Sequence, residues 1–285
     1  MLATPDRLAD VTGPYDALVC DIWGVLHNGR GVFPAAVAAL QQARRDGLLV
    51  VLCSNVPKPR DPIPGQLDRL GCPRDAWDAI VTSGDAIRAE LARRAPGPML
   101  KIGPDDDDSL WGGLGLRMAG ALEEARFMAI SGLNDPLRET VDDYAPLLAD
   151  ARARDLELLC ANPDLVVRVG ERLIVCAGAV AAAYAALGGR VVMAGKPHAP
   201  IYRLAFDEID RLAGQAVDKS RILAIGDGIA TDVLGANGAG IDALFIASGI
   251  HGETFRTAGA LDAAGVGEAL GRDGAHARYI MEHLT

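Results

Sequence analysis

The chain has 285 residues, half of them apolar, and its 38 acidic residues outnumber the 28 basic ones to give a net charge of −10. That charge argues against a nucleic-acid backbone as the main partner. No uninterrupted apolar run approaches the ~20 residues that span a bilayer, so no membrane anchoring is expected. The length suits about two domains. Met1 to Arg7 lacks a basic region followed by an apolar stretch, so a cytoplasmic protein is expected. The cysteines Cys20, Cys53, Cys72, Cys160 and Cys176 are odd in number and form no metal-like or redox-like pair; they read as reduced core residues.

Ala17 to Cys20 is an apolar run without alternation, the pattern of a strand covered on both faces, and it delivers Asp21 to a loop marked by Gly24 and Gly29. Pro34 to Asp46 reads as a helix, with Pro34 in its first turn, Arg44 and Arg45 in its last, and Gly47 as its cap. Leu48 to Cys53 is a second buried strand that ends in Ser54-Asn55. A proline-rich loop from Val56 to Pro64 follows. A helical segment near Gln66 to Leu70, a strand at Ala79 to Thr82 and a helix from Asp85 to Arg94 continue the alternation, which implies a parallel sheet.

Ala95-Pro96-Gly97-Pro98 reads as a linker. Beyond it come Met99 to Ile102, an acidic run Asp105 to Asp108, the strand Phe127 to Ile130, a helix Pro136 to Arg154 and the strand Leu156 to Ala161. Val166 to Cys176 alternates around Gly170 like a hairpin, and Ala177 to Leu187 is an alanine-rich helix. The acidic run lacks the glycine and distal glutamate of a calcium loop and reads as a solvated turn or helix start. Buried strands then return. Val191 to Ala194 leads to Gly195-Lys196-Pro197, a helix covers Pro200 to Leu212, and Arg221 to Ile225 leads to Gly226-Asp227-Gly228-Ile229-Ala230-Thr231-Asp232. Ala243 to Ala247 precedes Ser248-Gly249, and Ala275 to Leu284 is expected to be helical.

Four strands thus end in polar residues: Asp21, Ser54, Lys196, and Asp227 with Asp232. In one parallel sheet their carboxyl ends share an edge, where open α/β sheets bind ligands. Each residue has a bland alternative: a loop aspartate, a turn-capping serine, a surface lysine, a first-turn helix aspartate. Together they suit attack by a carboxylate on phosphorus, with Mg²⁺ and Lys196 offsetting the repulsion between the carboxylates and a phosphate dianion. The Ser54 hydroxyl and nearby backbone N–H groups suit the phosphoryl oxygens.

The motifs Asp21-Ile22-Trp23-Gly24-Val25-Leu26, Leu52-Cys53-Ser54-Asn55, Gly195-Lys196-Pro197 and Gly226-Asp227 through Thr231-Asp232 resemble those of the haloacid dehalogenase-like (HAD) hydrolases. The large insertion between the second and third motifs is similar to that of the NagD-like phosphatase branch, as is Asn162-Pro163-Asp164 to its cap signature. The resemblance implies an α/β fold: a Rossmann-like parallel-sheet core from residues 1–95 and 190–285, with a smaller α/β cap from 96–189 inserted. It implies that Asp21 forms an aspartyl-phosphate and that Ser54, Asn55 and Lys196 hold the phosphoryl group. Mg²⁺ would bind to Asp21, Asp227 and the Trp23 backbone carbonyl, and through water to Asp232, while Asn162 and Asp164 would contact substrate. The expected partner is a small phosphorylated metabolite; a homodimer is compatible with the branch.

Position 23 departs from the family pattern. Its phosphatases usually carry a second aspartate there, which protonates the leaving oxygen and then activates water; an indole N–H can do neither at neutral pH. His27, Asp85 or a cap residue would have to supply the proton. The expectation is a phosphatase of low or specialised activity, with a catalytically impaired phosphometabolite-binding protein and a dehalogenase-like hydrolase as alternatives.

Overall fold

A computed structural model of the chain describes residues 3–169, 172–250, 252–257 and 259–285. In chain order its strands are β1 (Ala17–Asp21), β2 (Leu49–Ser54), β3 (Ala79–Thr82), β4 (Met99–Ile102), β5 (Phe127–Ile130), β6 (Glu157–Cys160), β7 (Val166–Val169), β8 (Arg172–Val175), β9 (Arg190–Met193), β10 (Ile222–Gly226), β11 (Asp242–Ile246), β12 (Arg256–Thr257), β13 (Ala260–Leu261) and β14 (Tyr279–Met281). The α-helices are α1 (Pro34–Arg45), α2 (Ile63–Arg69), α3 (Ser83–Ala92), α4 (Ala145–Ala153), α5 (Ala177–Ala186), α6 (Ala199–Ala213), α7 (Leu234–Ala239) and α8 (Ala263–Arg272). They form two compact units: Met1–Ser54, Asp61–Val81 and Lys196–Thr285 in the first, and Asn55–Arg60 with Thr82–Gly195 in the second.

The first unit is built on a sheet of order β14-β11-β10-β1-β2-β3, in which β1 pairs in parallel with both β2 and β10, and β11 with both β10 and β14. Every residue of β1 and β10 is buried, as expected of a parallel sheet covered on both faces. On α6, Ile201, Tyr202, Ala205 and Ile209 recur at helical spacing and are buried, and the helix packs on β2. Ile201 and Ile209 each contribute on the order of 1.5–3 kcal/mol on full burial.

In the second unit, β4-β5-β6-β9 form a parallel sheet whose residues Met128, Ile130 and Leu158 pack with Leu148 of α4 and Val180 and Tyr184 of α5. Helix α3 belongs to this unit although it precedes the Ala95–Pro98 linker in sequence. Just after it, Arg94 Nε donates to Glu157 Oε2 on β6 at 2.7 Å. The hairpin expected around Gly170 forms as β7 paired antiparallel with β8; Gly170 itself lies outside the described residues.

Two helices differ from the sequence reading. The expected helix Pro136 to Arg154 reduces to α4, preceded by a tight turn at Val141–Tyr144, because Thr140 and Asp143 form a capping box that starts the helix later. The expected C-terminal helix is instead β14 at the sheet edge, where Ala247 and Ser248 donate to the carbonyls of Met281 and Glu282. Tyr279, Ile280 and Met281 are all buried there, and sheet pairing overrides local helix propensity. The acidic run opens a short two-turn 3₁₀ helix, Asp105–Leu110, with Asp107 paired to Lys58 at 3.4 Å and Asp108 to Lys101 at 2.5 Å. Among the described residues no helix is long and apolar enough to cross a membrane.

Candidate active site

Strand register brings the motif residues together. Cys20 lies opposite both Leu52 and Ile225, so Asp21 stands level with Cys53 and with Gly226, and one further residue brings in Ser54 and Asp227. Lys196 does not end a strand of this sheet, contrary to the sequence expectation: β9, which precedes it, pairs with β6 in the second unit, and Lys196 opens the segment leading into α6. Asp232 comes from the wide turn Ile229–Val233 that follows β10.

Lys196 Nζ donates to Asp21 Oδ1 at 2.5 Å and to Asp232 Oδ1 at 2.8 Å. The lysine is only 3% exposed, which excludes the surface-lysine reading. Burial pulls its pKa down, but the charges of Asp21 and Asp232 outweigh that and hold it well above the ordinary lysine value. Asp232 Oδ2 accepts from the Gly228 N–H at 3.1 Å and the Thr231 hydroxyl at 3.3 Å, so this aspartate both braces its own turn and faces the lysine.

Asp21, Asp227 and Asp232 each place a carboxylate oxygen within 4.8 Å of the other two, and all three are buried. Burial first, then the charges of Asp21 and Asp232, push the Asp227 carboxyl well above the ordinary range. One lysine against three carboxylates leaves negative charge unbalanced. Hard oxygen donors in such a site fit a divalent cation. The neighbouring thiols are poor competitors as nucleophiles: burial raises Cys53 to about 12 and lifts Cys20 well above the ordinary thiol value. All five cysteines are buried and free.

Gly24, expected from the sequence only as a loop marker, and Gly249 make room for Asp227, whose Oδ2 accepts from the Ile250 N–H at 2.5 Å. A Cβ at Gly24 would lie 2.0 Å from Asp227 Oδ2, and one at Gly249 would lie 1.9 Å from it. Gly24 also has φ +87°, whereas Gly249 has no such backbone requirement, so Gly249→Ala isolates the steric effect. We expect this substitution to weaken divalent-cation affinity by about 10–100-fold, the usual scale for disturbing a group that orients a metal ligand. Calorimetric titration with MgCl₂ checks it; an unchanged affinity would mean that Asp227 has room to shift.

Trp23 is half-buried, its ring at 5.0 Å and 75° to that of His27. His27 is buried; its Nδ1 accepts from the Gly29 N–H at 3.0 Å, and burial lowers its pKa to about 4. The ring is therefore neutral at pH 7 and braces the loop, which speaks against it as the missing proton donor. Asp85 is engaged elsewhere, accepting from Arg60 Nε at 2.8 Å.

Asn55, Asn162 and Asp164 meet one another within the second unit. Asn55 Nδ2 donates to Asp164 Oδ1 at 2.8 Å, and the Asp164 N–H donates to Asn162 Oδ1 at 3.0 Å. Tyr202 was not singled out by its sequence context. Its hydroxyl donates to the Asp232 carbonyl at 3.2 Å from behind, and only its position on the buried face of α6 hints at this.

Residues 18–117 match the family model described as haloacid dehalogenase-like hydrolase, and residues 193–271 match one described as HAD-hydrolase-like. D-glycerol 3-phosphate phosphatase of Mycobacterium tuberculosis is 26% identical over 86% of this chain, which spans 66% of that protein's length. The crystal structure of p-nitrophenyl phosphatase from Archaeoglobus fulgidus superposes with a TM-score of 0.68 at 19% identity, covering 94% of this chain and 96% of that one. A hydrolase of the haloacid dehalogenase-like family from Brucella suis superposes with a TM-score of 0.88 at 42% identity, over 99% of this chain and 100% of that one. With that identity along both full lengths, the chain belongs to the haloacid dehalogenase-like hydrolases.

Proposed function

We propose that the chain is a Mg²⁺-dependent phosphatase of small phosphorylated metabolites that works through an aspartyl-phosphate on Asp21. The observation that carries this reading is the buried cluster in which Asp21 shares Lys196 with Asp232 and faces Asp227. Asp21, Asp227 and the Trp23 backbone carbonyl would hold Mg²⁺, with Asp232 reaching it through water. The cation supplies positive charge against which a phosphate dianion can approach the carboxylates. Lys196 fixes the orientation of the Asp21 carboxylate and adds charge for the phosphoryl oxygens, and the Ser54 hydroxyl can donate to one of them. Asp21 attacks phosphorus, the new acyl-phosphate bond forms as the ester P–O bond breaks, and the leaving oxygen departs with the bonding electron pair and takes its proton from solvent. Water then attacks phosphorus and loses a proton to solvent, the acyl-phosphate P–O bond breaks, and inorganic phosphate leaves the restored carboxylate. The phosphatase names of the relatives from M. tuberculosis and A. fulgidus support the reaction class.

Phosphate release from p-nitrophenyl phosphate in MgCl₂, removed by EDTA and restored by adding Mg²⁺ back, is the expected result. Trp23 favours a second reading, a phosphometabolite-binding protein whose hydrolysis is vestigial. No release from p-nitrophenyl phosphate or from a metabolite panel, with tight binding of one panel member, would decide for that reading.

Mg²⁺ should also stabilise the fold, increasingly so as pH rises. The raised Asp227 pKa means that the cation-free folded state holds a proton that the unfolded chain releases. This contribution is present below the unfolded carboxylate pKa of about 4 and is lost as pH rises through the higher folded value. A bound divalent cation replaces that proton. The gap between melting temperatures in MgCl₂ and in EDTA should therefore widen from acidic toward neutral pH, and a gap of constant size would refute the linkage to Asp227.

A further inference from the structure

Ser54 and Lys196 are far apart in sequence, yet the residues beside them meet the same loop. Asn55 follows Ser54, Gly195 precedes Lys196, and both pack against Asn162-Pro163-Asp164. A carboxylate only accepts hydrogen bonds, so Asp164 Oδ1 requires the Asn55 amide to present its NH₂ group, as it does at 2.8 Å. That choice turns Asn55 Oδ1 toward Gly195, where a Cβ would lie 2.6 Å from it, 2.4 Å from Ser83 Oγ and 2.8 Å from Pro163 Cδ. Asn55 is buried and Ser83 fully so, which leaves the Gly195 backbone little freedom on that side.

The loop is itself braced. Asn162 Oδ1 accepts from the Asp164 N–H at 3.0 Å, and the Asp164 carbonyl accepts from the Gly178 N–H at 3.1 Å at the start of α5. A Cβ at Gly178 would lie 2.1 Å from the Pro163 carbonyl oxygen, so the helix start sits directly against the loop backbone.

We propose that Asp164 is a positioning residue for Ser54 and Lys196, acting through the Asn55 amide and the backbone at Gly195, and that it does not bind the substrate itself. The proposal rests on the phosphatase reading for the roles of Ser54 and Lys196. It assigns the Asn-Pro-Asp loop to the geometry of phosphoryl-group binding, which every substrate shares, and not to the choice among substrates.

The test compares Asp164→Ala, Asp164→Asn, Asn55→Ala and the double variant Asn55→Ala/Asp164→Ala with the wild type. Two substrates are used: p-nitrophenyl phosphate, which offers no polar group beyond the phosphate except its distant nitro group, and a polyol phosphate. Inorganic phosphate is also titrated calorimetrically in MgCl₂. A positioning role predicts that Asp164→Ala lowers kcat by about 10–100-fold on both substrates alike, the scale on which sub-ångström to ångström misplacement acts. Asp164→Asn, which can still accept from Asn55, should recover most of that loss. The double variant should be no worse than Asn55→Ala alone, because the two side chains act as one unit.

A rise in KM confined to the polyol phosphate, or additive losses in the double variant, would overturn the proposal in favour of direct substrate contact. If the wild type releases no phosphate, the phosphatase reading fails and the phosphate titration alone decides. Affinity weakened equally and non-additively in the single and double variants supports positioning, and affinity unchanged by Asp164→Ala overturns it.

Discussion

Asp21→Asn abolishes phosphate release from p-nitrophenyl phosphate, by about 10⁴-fold or more, the scale on which removal of a covalent nucleophile acts in other enzymes. The chain should nonetheless stay folded. The amide matches the carboxylate in size, which matters for a side chain this buried, and it can still offer its oxygen to Lys196. Lys196 keeps its second partner, Asp232, at 2.8 Å. Loss of the Asp21 charge also relieves one of the repulsions that raise Asp227. Thermal melting checks the fold, and acid-quenched mass spectrometry during turnover should find a phosphoryl adduct on the wild type and none on the variant. A residual rate within tenfold of wild type would remove Asp21 as the nucleophile, because neither of the nearby buried thiols is ionised to take its place.

The convergence of Asp21, Ser54 and Asp227 was legible in the sequence for a physical reason, whereas Lys196 follows β9, which pairs with β6 in the second unit and not with the strands of this sheet. Strands buried on both faces show as unbroken apolar runs, and a parallel sheet puts their ends on one edge. The register makes this concrete, since Asp21 and Cys53 are direct neighbours. Contacts that depend on packing left no local trace. Asn55 and Asp164 bond across 109 positions, and nothing around either residue announces the other. The room that Gly24 and Gly249 leave for Asp227 is likewise visible only as distances. The C-terminal segment shows the opposite failure: its composition permits a helix, and only the open edge of β11 makes it a strand. His27 was legible as a nearby imidazole but not as a buried one with its Nδ1 already engaged.

Trp23→Asp should raise steady-state turnover by about 10²-fold, within the range that a positioned acid–base group contributes. In the first half-reaction a nitrophenolate leaves without protonation, so Trp23 costs little. In the second, water must attack the aspartyl-phosphate without a base, and neither the neutral His27 ring nor the Arg60-bound Asp85 carboxylate is placed to serve. The wild type should therefore show a burst of nitrophenol equal to the enzyme concentration, followed by a slow steady rate. An aspartate at position 23 should abolish the burst by accelerating the second step. On alkyl phosphates, whose leaving group needs a proton, it should accelerate the first step as well. The substitution also removes a half-buried ring packed edge-on to His27. That loss should destabilise the fold by about 2 kcal/mol, less than the 3–5 kcal/mol typical of a fully buried aromatic. The gain in rate and the loss in stability are thus expected in the same variant. Loss of stability without gain in rate would identify Trp23 as a space-filling residue of a loop that no longer lets a carboxylate reach the leaving oxygen, and would shift the balance toward the binding protein.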